Sequence, residues 1–260
     1  MTLLFFGDSF TVGAELLDHL HYNDYPEPVS FHDQHSEHLV SWRNSNKPLR
    51  ESMDEKTFAT LWEEQKKYTY AQKLADIMQV PHHNMAVGGS SLQRTRYLLT
   101  KSLTEFTDPV TVFVQPTSPE RWMDYYDDQW IDFIPGNSYT GEALTHFKSK
   151  ISNNTDHSRF CSWLLELQGI FDHCSTSDIV KKFYFVNSGV FNYVEDNKDK
   201  FGDLLGVYES IQRKVRNITF HFPHTKNNEA KNFLPWGHVT ERNHEQLAID
   251  IHGILCYNKK

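Results

Sequence analysis

The first residues of the chain able to do covalent chemistry are Gly7-Asp8-Ser9, which follow a short apolar run. Glycine admits a tight turn, and a serine on such a turn can present its hydroxyl to solvent while its own N–H stays free to donate to a developing oxyanion. The same tripeptide also suits a plain turn or helix cap, because Asp and Ser both bond nearby backbone groups. A nucleophilic serine needs a base, and two histidines compete for that role in Leu234-Pro235-Trp236-Gly237-His238-Val239-Thr240-Glu241-Arg242-Asn243-His244. Either imidazole could take and return a proton near neutral pH, and chemistry alone does not separate His238 from His244. A third cluster interleaves Trp122, Tyr125, Tyr126, Trp130 and Phe133 with Asp124, Asp127, Asp128 and Asp132. Aromatic faces beside carboxylates suit sugar rings, which offer C–H faces and hydroxyl edges. Packing of these aromatics onto the rest of the molecule is the competing reading.

The elements that must position these groups alternate between short β-rich runs and helical patterns. That rhythm predicts one α/β domain over 1–260, a three-layer α/β/α sandwich with a mostly parallel central sheet of the flavodoxin-like kind. Leu3 to Phe6 form the first strand, Tyr70 to Met78 a helix ending before Pro81, and Met85-Ala86-Val87 the second strand. Ser91 to Leu103 give a helix, and Val110 to Val114 a buried central strand between prolines. Further on come a helix over Phe160 to Phe171, a strand at Phe183 to Val186, a helix over Leu204 to Val215, a strand at Ile218 to Phe222, and a closing amphipathic helix from His244 to Leu255. Two stretches break the rhythm, 22–60 and 119–158, and are expected to be insertions over the sheet edge. In open α/β sheets ligands sit at the carboxyl ends of strands, which is where Gly7-Asp8-Ser9 falls.

Composition narrows the function. With 26 Lys and Arg against 34 Asp and Glu the formal charge is -8, which argues against a protein that grips nucleic acid through its phosphates. Cys161, Cys174 and Cys256 lack zinc or C-x-x-C spacing and are expected to be reduced thiols. The fifteen histidines include no H-E-x-x-H pair, so no metal site is expected. Residues 2–6 are too short for a signal peptide and run into Gly-Asp-Ser, and no stretch approaches the roughly 20 apolar residues of a membrane span. A cytoplasmic protein is expected, or a virion-associated one if phage-encoded. The sequons at Asn153 and Asn217 would then be idle.

The chain resembles the SGNH (GDSL-type) hydrolases. Gly7-Asp8-Ser9-Phe10 resembles the first block of that family, Asn84-Met85-Ala86-Val87-Gly88-Gly89-Ser90 the second, Gln115-Pro116-Thr117-Ser118 the third, and Gly237-His238 through His244 the last. The similarity runs nearly end to end and is specific at the first, second and last blocks. It implies Ser9 as nucleophile, His238 as base, and an oxyanion hole from Ser9, Gly89 and Thr117, with no cofactor. Without the family, Gly88-Gly89 reads as a strand-to-helix turn and Thr117-Ser118-Pro119 as a helix cap. Two departures matter. Thr117 stands where the family has asparagine, and Pro235-Trp236 stand where it has the aspartate that orients the base. Glu241, three residues before His244, could mimic that spacing one register later. The resemblance implies a serine esterase acting on a small-molecule or glycan ester; the aromatics and carboxylates of 122–133 point toward a glycan, for example in a carbohydrate O-acetylesterase, with Trp122, Tyr125 and Trp236 as candidate substrate contacts. Its competitor is a catalytically degenerate member serving as a glycan-binding or virion-associated structural module.

Overall fold

The computed structural model describes residues 1–14, 16, 18, 25–30, 32–46, 53–126, 129–134, 144–145, 148, 156–223, 233–234 and 238–257. Strand β1 (Thr2–Phe6) pairs in parallel with β2 (His82–Asn84) on one side and with β3 (Val110–Val114) on the other. The hairpin strands β4 (Trp122–Tyr126) and β5 (Gln129–Phe133) form a separate antiparallel pair. Strands β6 (Val180–Asn187) and β7 (Thr219–His221) complete a five-stranded, all-parallel sheet in the order β2-β1-β3-β6-β7. Parallel strands covered on both faces read as continuous apolar runs, and Leu3 to Phe6 and Val110 to Val114 are buried throughout. Alternation then divides β1: Leu4 and Phe6 join one core, Leu3 and Phe5 the other.

In chain order the helices named among the described residues are α1 (Ser9–Val12), α2 (Glu37–Ser45), α3 (Glu55–Gln65), α4 (Tyr70–Met78), α5 (Leu92–Leu103), α6 (Asp156–Thr176), α7 (Val190–Asp196), α8 (Leu205–Arg216) and α9 (Glu241–Tyr257). Apolar faces of α5, α6 and α8 cover the Leu4 side through Leu99, Trp163, Leu167 and Ile211. The Leu3 side is covered by α4 and α9 through Tyr70, Leu74, Leu247 and Ile251. This is the expected three-layer α/β/α arrangement. The expected α4 matches to the residue, with Thr69 Oγ1 capping it at Gln72 N.

The second strand departs from expectation, occupying His82–Asn84 instead of 85–87. Asn84 ends it, since its Oδ1 accepts from Ala86 N and its Nδ2 donates to the Thr11 carbonyl. Met85 to Val87 lie outside the strand but stay alongside the end of β1, with Met85 N donating to Phe5 O and Val87 N to Gly7 O. Helix α6 is longer than the 160–171 read from sequence, and α7 with the following 3-10 turn (Lys198–Leu204) was not anticipated. Within 22–60, Val29 bridges Phe233; within 119–158, the β4-β5 hairpin stands against α5. The cysteines are free thiols. Among the described residues no helix is long and apolar enough to cross a membrane, and no three His, Cys, Asp or Glu side chains gather as metal ligands.

Candidate active site

The chain leaves β1 toward β2 on one side of the sheet and later enters β3 on the other, so the carboxyl ends of β1 and β3 flank the switch point of the topology. Gly7-Asp8-Ser9 lies at the first end and Gln115-Pro116-Thr117 at the second. Gly7 is required by space: a Cβ there would stand 2.7 Å from Thr11 Oγ1 and 2.8 Å from Gln115 Cβ. Asp8 caps α1 by accepting from Phe10 N at 3.1 Å. Ser9, partly buried, is the first residue of that single turn, which closes at Gly13 in the left-handed region (φ 78°). Ser9 N–H makes no hydrogen bond among the described residues.

Gln115 holds this turn. It is fully buried, and its Oε1 accepts from Thr11 N at 3.1 Å and Thr11 Oγ1 at 2.7 Å. Its Nε2 donates to Asp8 Oδ1 at 2.6 Å and to Ser188 Oγ at 2.9 Å. The other Asp8 oxygen accepts from Arg121 at 2.8 Å, so a carboxylate only 3% exposed is paired with a cation and with two neutral donors. Sequence reading missed both Gln115 and Arg121 as site residues. The available signal was a polar amide directly after a five-residue strand of four apolar residues and one threonine, at the end of the sheet that holds the serine.

The second loop is tied to the first. Val87 N and Ser90 Oγ both donate to the Gly7 carbonyl at 3.0 Å, which fixes the intervening Gly88-Gly89 turn beside the serine loop. Gly89 has φ 77°, and a Cβ there would lie 2.6 Å from Ile134 Cδ1, so both backbone and space demand glycine. Gly89 N–H, like that of Ser9, makes no hydrogen bond among the described residues. Ser91 caps α5 and donates its Oγ to Asp132 at 2.6 Å, and Arg94 pairs with the same carboxylate at 3.2 Å. The hairpin is thereby fastened to this loop. Thr117 is fully buried; its carbonyl accepts from Trp163 Nε1 at 2.7 Å, while its Oγ1 has no hydrogen-bond partner among the described residues. Trp122 stacks on Phe133 and lines a cavity of about 210 Å³ shared with Arg121, Asp124, Arg159 and Trp163. Tyr125 pairs with Trp130 in the hairpin backbone, but its side chain lies outside those described.

The two histidines have different surroundings. His238 is partly buried, and its ring centroid lies 5.5 Å from that of Phe10, the residue after Ser9. No Ser9–His238 hydrogen bond is among those the described residues form. Apo sites often show such contacts only at longer range. The loop carrying His238 is closed by Leu234 N donating to the His238 carbonyl at 2.7 Å, and Phe233 bridges both Val239 and Val29. Gln34 adds a bond to the Leu234 carbonyl at 3.1 Å. His244, only 1% exposed, sits within α9, accepts from Tyr70 N through Nδ1 at 3.2 Å and stacks on the Tyr70 ring. Its Nε2 then carries the proton in the neutral form. Glu241 pairs with Lys73 at 2.7 Å, and Asp8 is engaged as described above, so neither is set up as the carboxylate that orients His238. Pro235 and Trp236 lie outside the described residues.

No family model matches the chain, and no curated protein matches it in sequence. Solved structures do resemble it. An acetyl xylan esterase from the rumen bacterium Butyrivibrio proteoclasticus aligns at 12% identity and a TM-score of 0.50 over 99% of this chain and 64% of its own. A carbohydrate esterase family 2 enzyme with a carbohydrate-binding domain, from Corynascus thermopiles (Myceliophthora fergusii), aligns at 10% identity and a TM-score of 0.48 over 98% and 65%. A G-D-S-L family protein described as lipolytic, from Desulfitobacterium hafniense, aligns at 11% identity and a TM-score of 0.45 over 95% of each chain. The chain thus spans about two thirds of the length of the two carbohydrate esterases. At this identity the likeness shows the fold, an SGNH hydrolase-type fold as the motif order implied.

Proposed function

We propose that the chain is a serine-dependent carboxylic ester hydrolase. Ser9 Oγ attacks the ester carbonyl while His238 takes its proton, and the oxyanion receives hydrogen bonds from Ser9 N–H, Gly89 N–H and the Thr117 hydroxyl. Collapse expels the alcohol, which takes the proton back from His238; water then repeats the sequence on the acyl-serine and releases the acid. The observation that carries this reading is the convergence of three loops at one end of the sheet, with two backbone N–H groups and one buried hydroxyl that no described protein group satisfies. A buried hydroxyl such as that of Thr117 is costly unless a ligand or water meets it, and the N–H groups of the partly buried Ser9 and Gly89 are left open to a ligand. The cavity beside Trp122 and Arg121 supports a carbohydrate on the alcohol side, since an indole face and convergent polar groups fit a sugar ring.

One feature favours a non-catalytic binding module instead: Asp8 and Glu241, the acidic residues nearest in sequence to the two motifs, are both engaged with other cations. A Ser–His dyad without a carboxylate turns over slowly but measurably. The folded protein is therefore expected to hydrolyse p-nitrophenyl acetate, with Ser9→Ala and His238→Ala each lowering kcat/KM by at least about a thousandfold. Activity that survives Ser9→Ala would remove the nucleophile from this account, and none above blank in the folded wild type would leave the binding module.

A further inference from the structure

The Gly88-Gly89 turn has a second face. Phe58 and Trp62 of α3, together with Met53, line a groove of about 710 Å³ whose opposite wall is Ala86, Val87 and Gly88. The two rings lie with centroids 5.4 Å apart, and the indole Cη2 would be 3.9 Å from a Cβ placed on Gly88. The groove has Glu55 as the one ionisable residue among its described lining residues, none of which would hold an anion. It contrasts with the cavity beyond Arg121, where two arginines, an aspartate and two serines dominate. The two spaces differ in chemistry, and each adjoins the serine loop: one through the Arg121–Asp8 pair, the other through Val87 N–H bound to the Gly7 carbonyl.

We infer that this groove binds the acyl chain of the substrate, and that the preferred acyl group is an unbranched, uncharged chain several carbons longer than acetyl. The inference rests on the esterase reading and sharpens it. An ester bound with its carbonyl oxygen at Gly89 N–H has two substituents to place. The apolar wall formed by the residues just before Gly89 suits the hydrocarbon one, and the polar cavity suits the alcohol. Acetyl would leave Phe58 and Trp62 uncovered, so binding energy available along the groove would go unused. A methylene moved from water onto such a surface raises kcat/KM roughly two- to fourfold, the upper figure being full burial.

The test is a series of p-nitrophenyl esters from acetate to octanoate on the full chain. Expected is a rise in kcat/KM of at least about tenfold between acetate and hexanoate. Trp62→Ala should flatten that rise. Ala59→Trp, a change on an exposed position of α3 that narrows the groove from its lining, should reverse it, with thermal melting confirming that both variants are folded. Acetate hydrolysed as well as or better than hexanoate by the wild type overturns the acyl groove and leaves the esterase reading intact. A chain-length rise that both variants retain likewise overturns it. Hydrolysis of no ester at all overturns the esterase reading, and the groove with it.

Discussion

At the scale of single residues, the serine loop depends on a side chain that no motif marks. Fully buried itself, Gln115 uses its four described hydrogen bonds to tie Thr11, Asp8 and Ser188 together. Gln115→Leu keeps the volume but strands the Thr11 donors and one face of the Asp8 carboxylate, and should cost about 3 kcal/mol in urea unfolding. Gln115→Glu separates packing from charge. It retains acceptors for Thr11 but puts a second carboxylate against Asp8, so the folded state favours the protonated form of the introduced acid. Its destabilisation should be greatest at neutral pH and should shrink as pH falls through that raised folded-state pKa. Equal urea midpoints for wild type and Gln115→Glu at pH 7 would show that the amide hydrogens do not matter. Ser9, Gly89, Thr117 and His238 enter the proposal from sequence because short motifs carry them. Gln115 and Arg121 carry no such motif, because their shared partner Asp8 lies more than a hundred positions away and leaves no local pattern.

At the scale of elements, sequence periodicity located what is buried and long, and failed where an element is short or at an edge. The fully buried β3 and the amphipathic α4 match their expected bounds. Strand β2 was misplaced because its own residues, His82-His83-Asn84, are polar, as edge positions allow, while the apolar triplet after it belongs to a loop. That edge carries a pH dependence. Burial depresses the His82 pKa below its ordinary 6.5, with Asp76 pulling weakly the other way, and the ring stands edge-on to Phe5 at 6.1 Å. As pH falls below 6.5 the unfolded chain takes up this proton before the folded one, so the contribution is intact above 6.5 and is lost as pH drops through the depressed folded value. Melting temperature should therefore fall more steeply between pH 7 and pH 5 in the wild type than in His82→Gln. Parallel profiles for the two would mean that the imidazole is solvated in both states.

At the scale of the whole molecule, the two groups proposed to react come from distant parts of the chain, and a segment expected to be an insertion makes contacts with the loop that carries one of them. Ser9 follows a strand of the sheet, whereas the residues flanking His238 are held by the Val29–Phe233 bridge and by Gln34 reaching the Leu234 carbonyl. Sequence reading placed 22–60 at the sheet edge because it lacks α/β periodicity; its role lies in contacts some two hundred positions away. Gln34→Leu removes one bond to a buried carbonyl without touching β1, and the local cost of about 1–3 kcal/mol falls on the loop. A base displaced by a fraction of an ångström loses near-attack geometry, to which rates are far more sensitive than substrate binding is. Gln34→Leu should therefore lower kcat on p-nitrophenyl acetate by about tenfold with KM changed less than about twofold, and Gln34→Glu, which keeps the length but not the donor, should do the same. If KM rises instead while kcat holds, the segment shapes the substrate site and not the base. If neither moves, the bridge at Val29 suffices, and the serine and histidine owe their alignment to the α9 junction at Thr240, whose carbonyl accepts from both Asn243 N and His244 N.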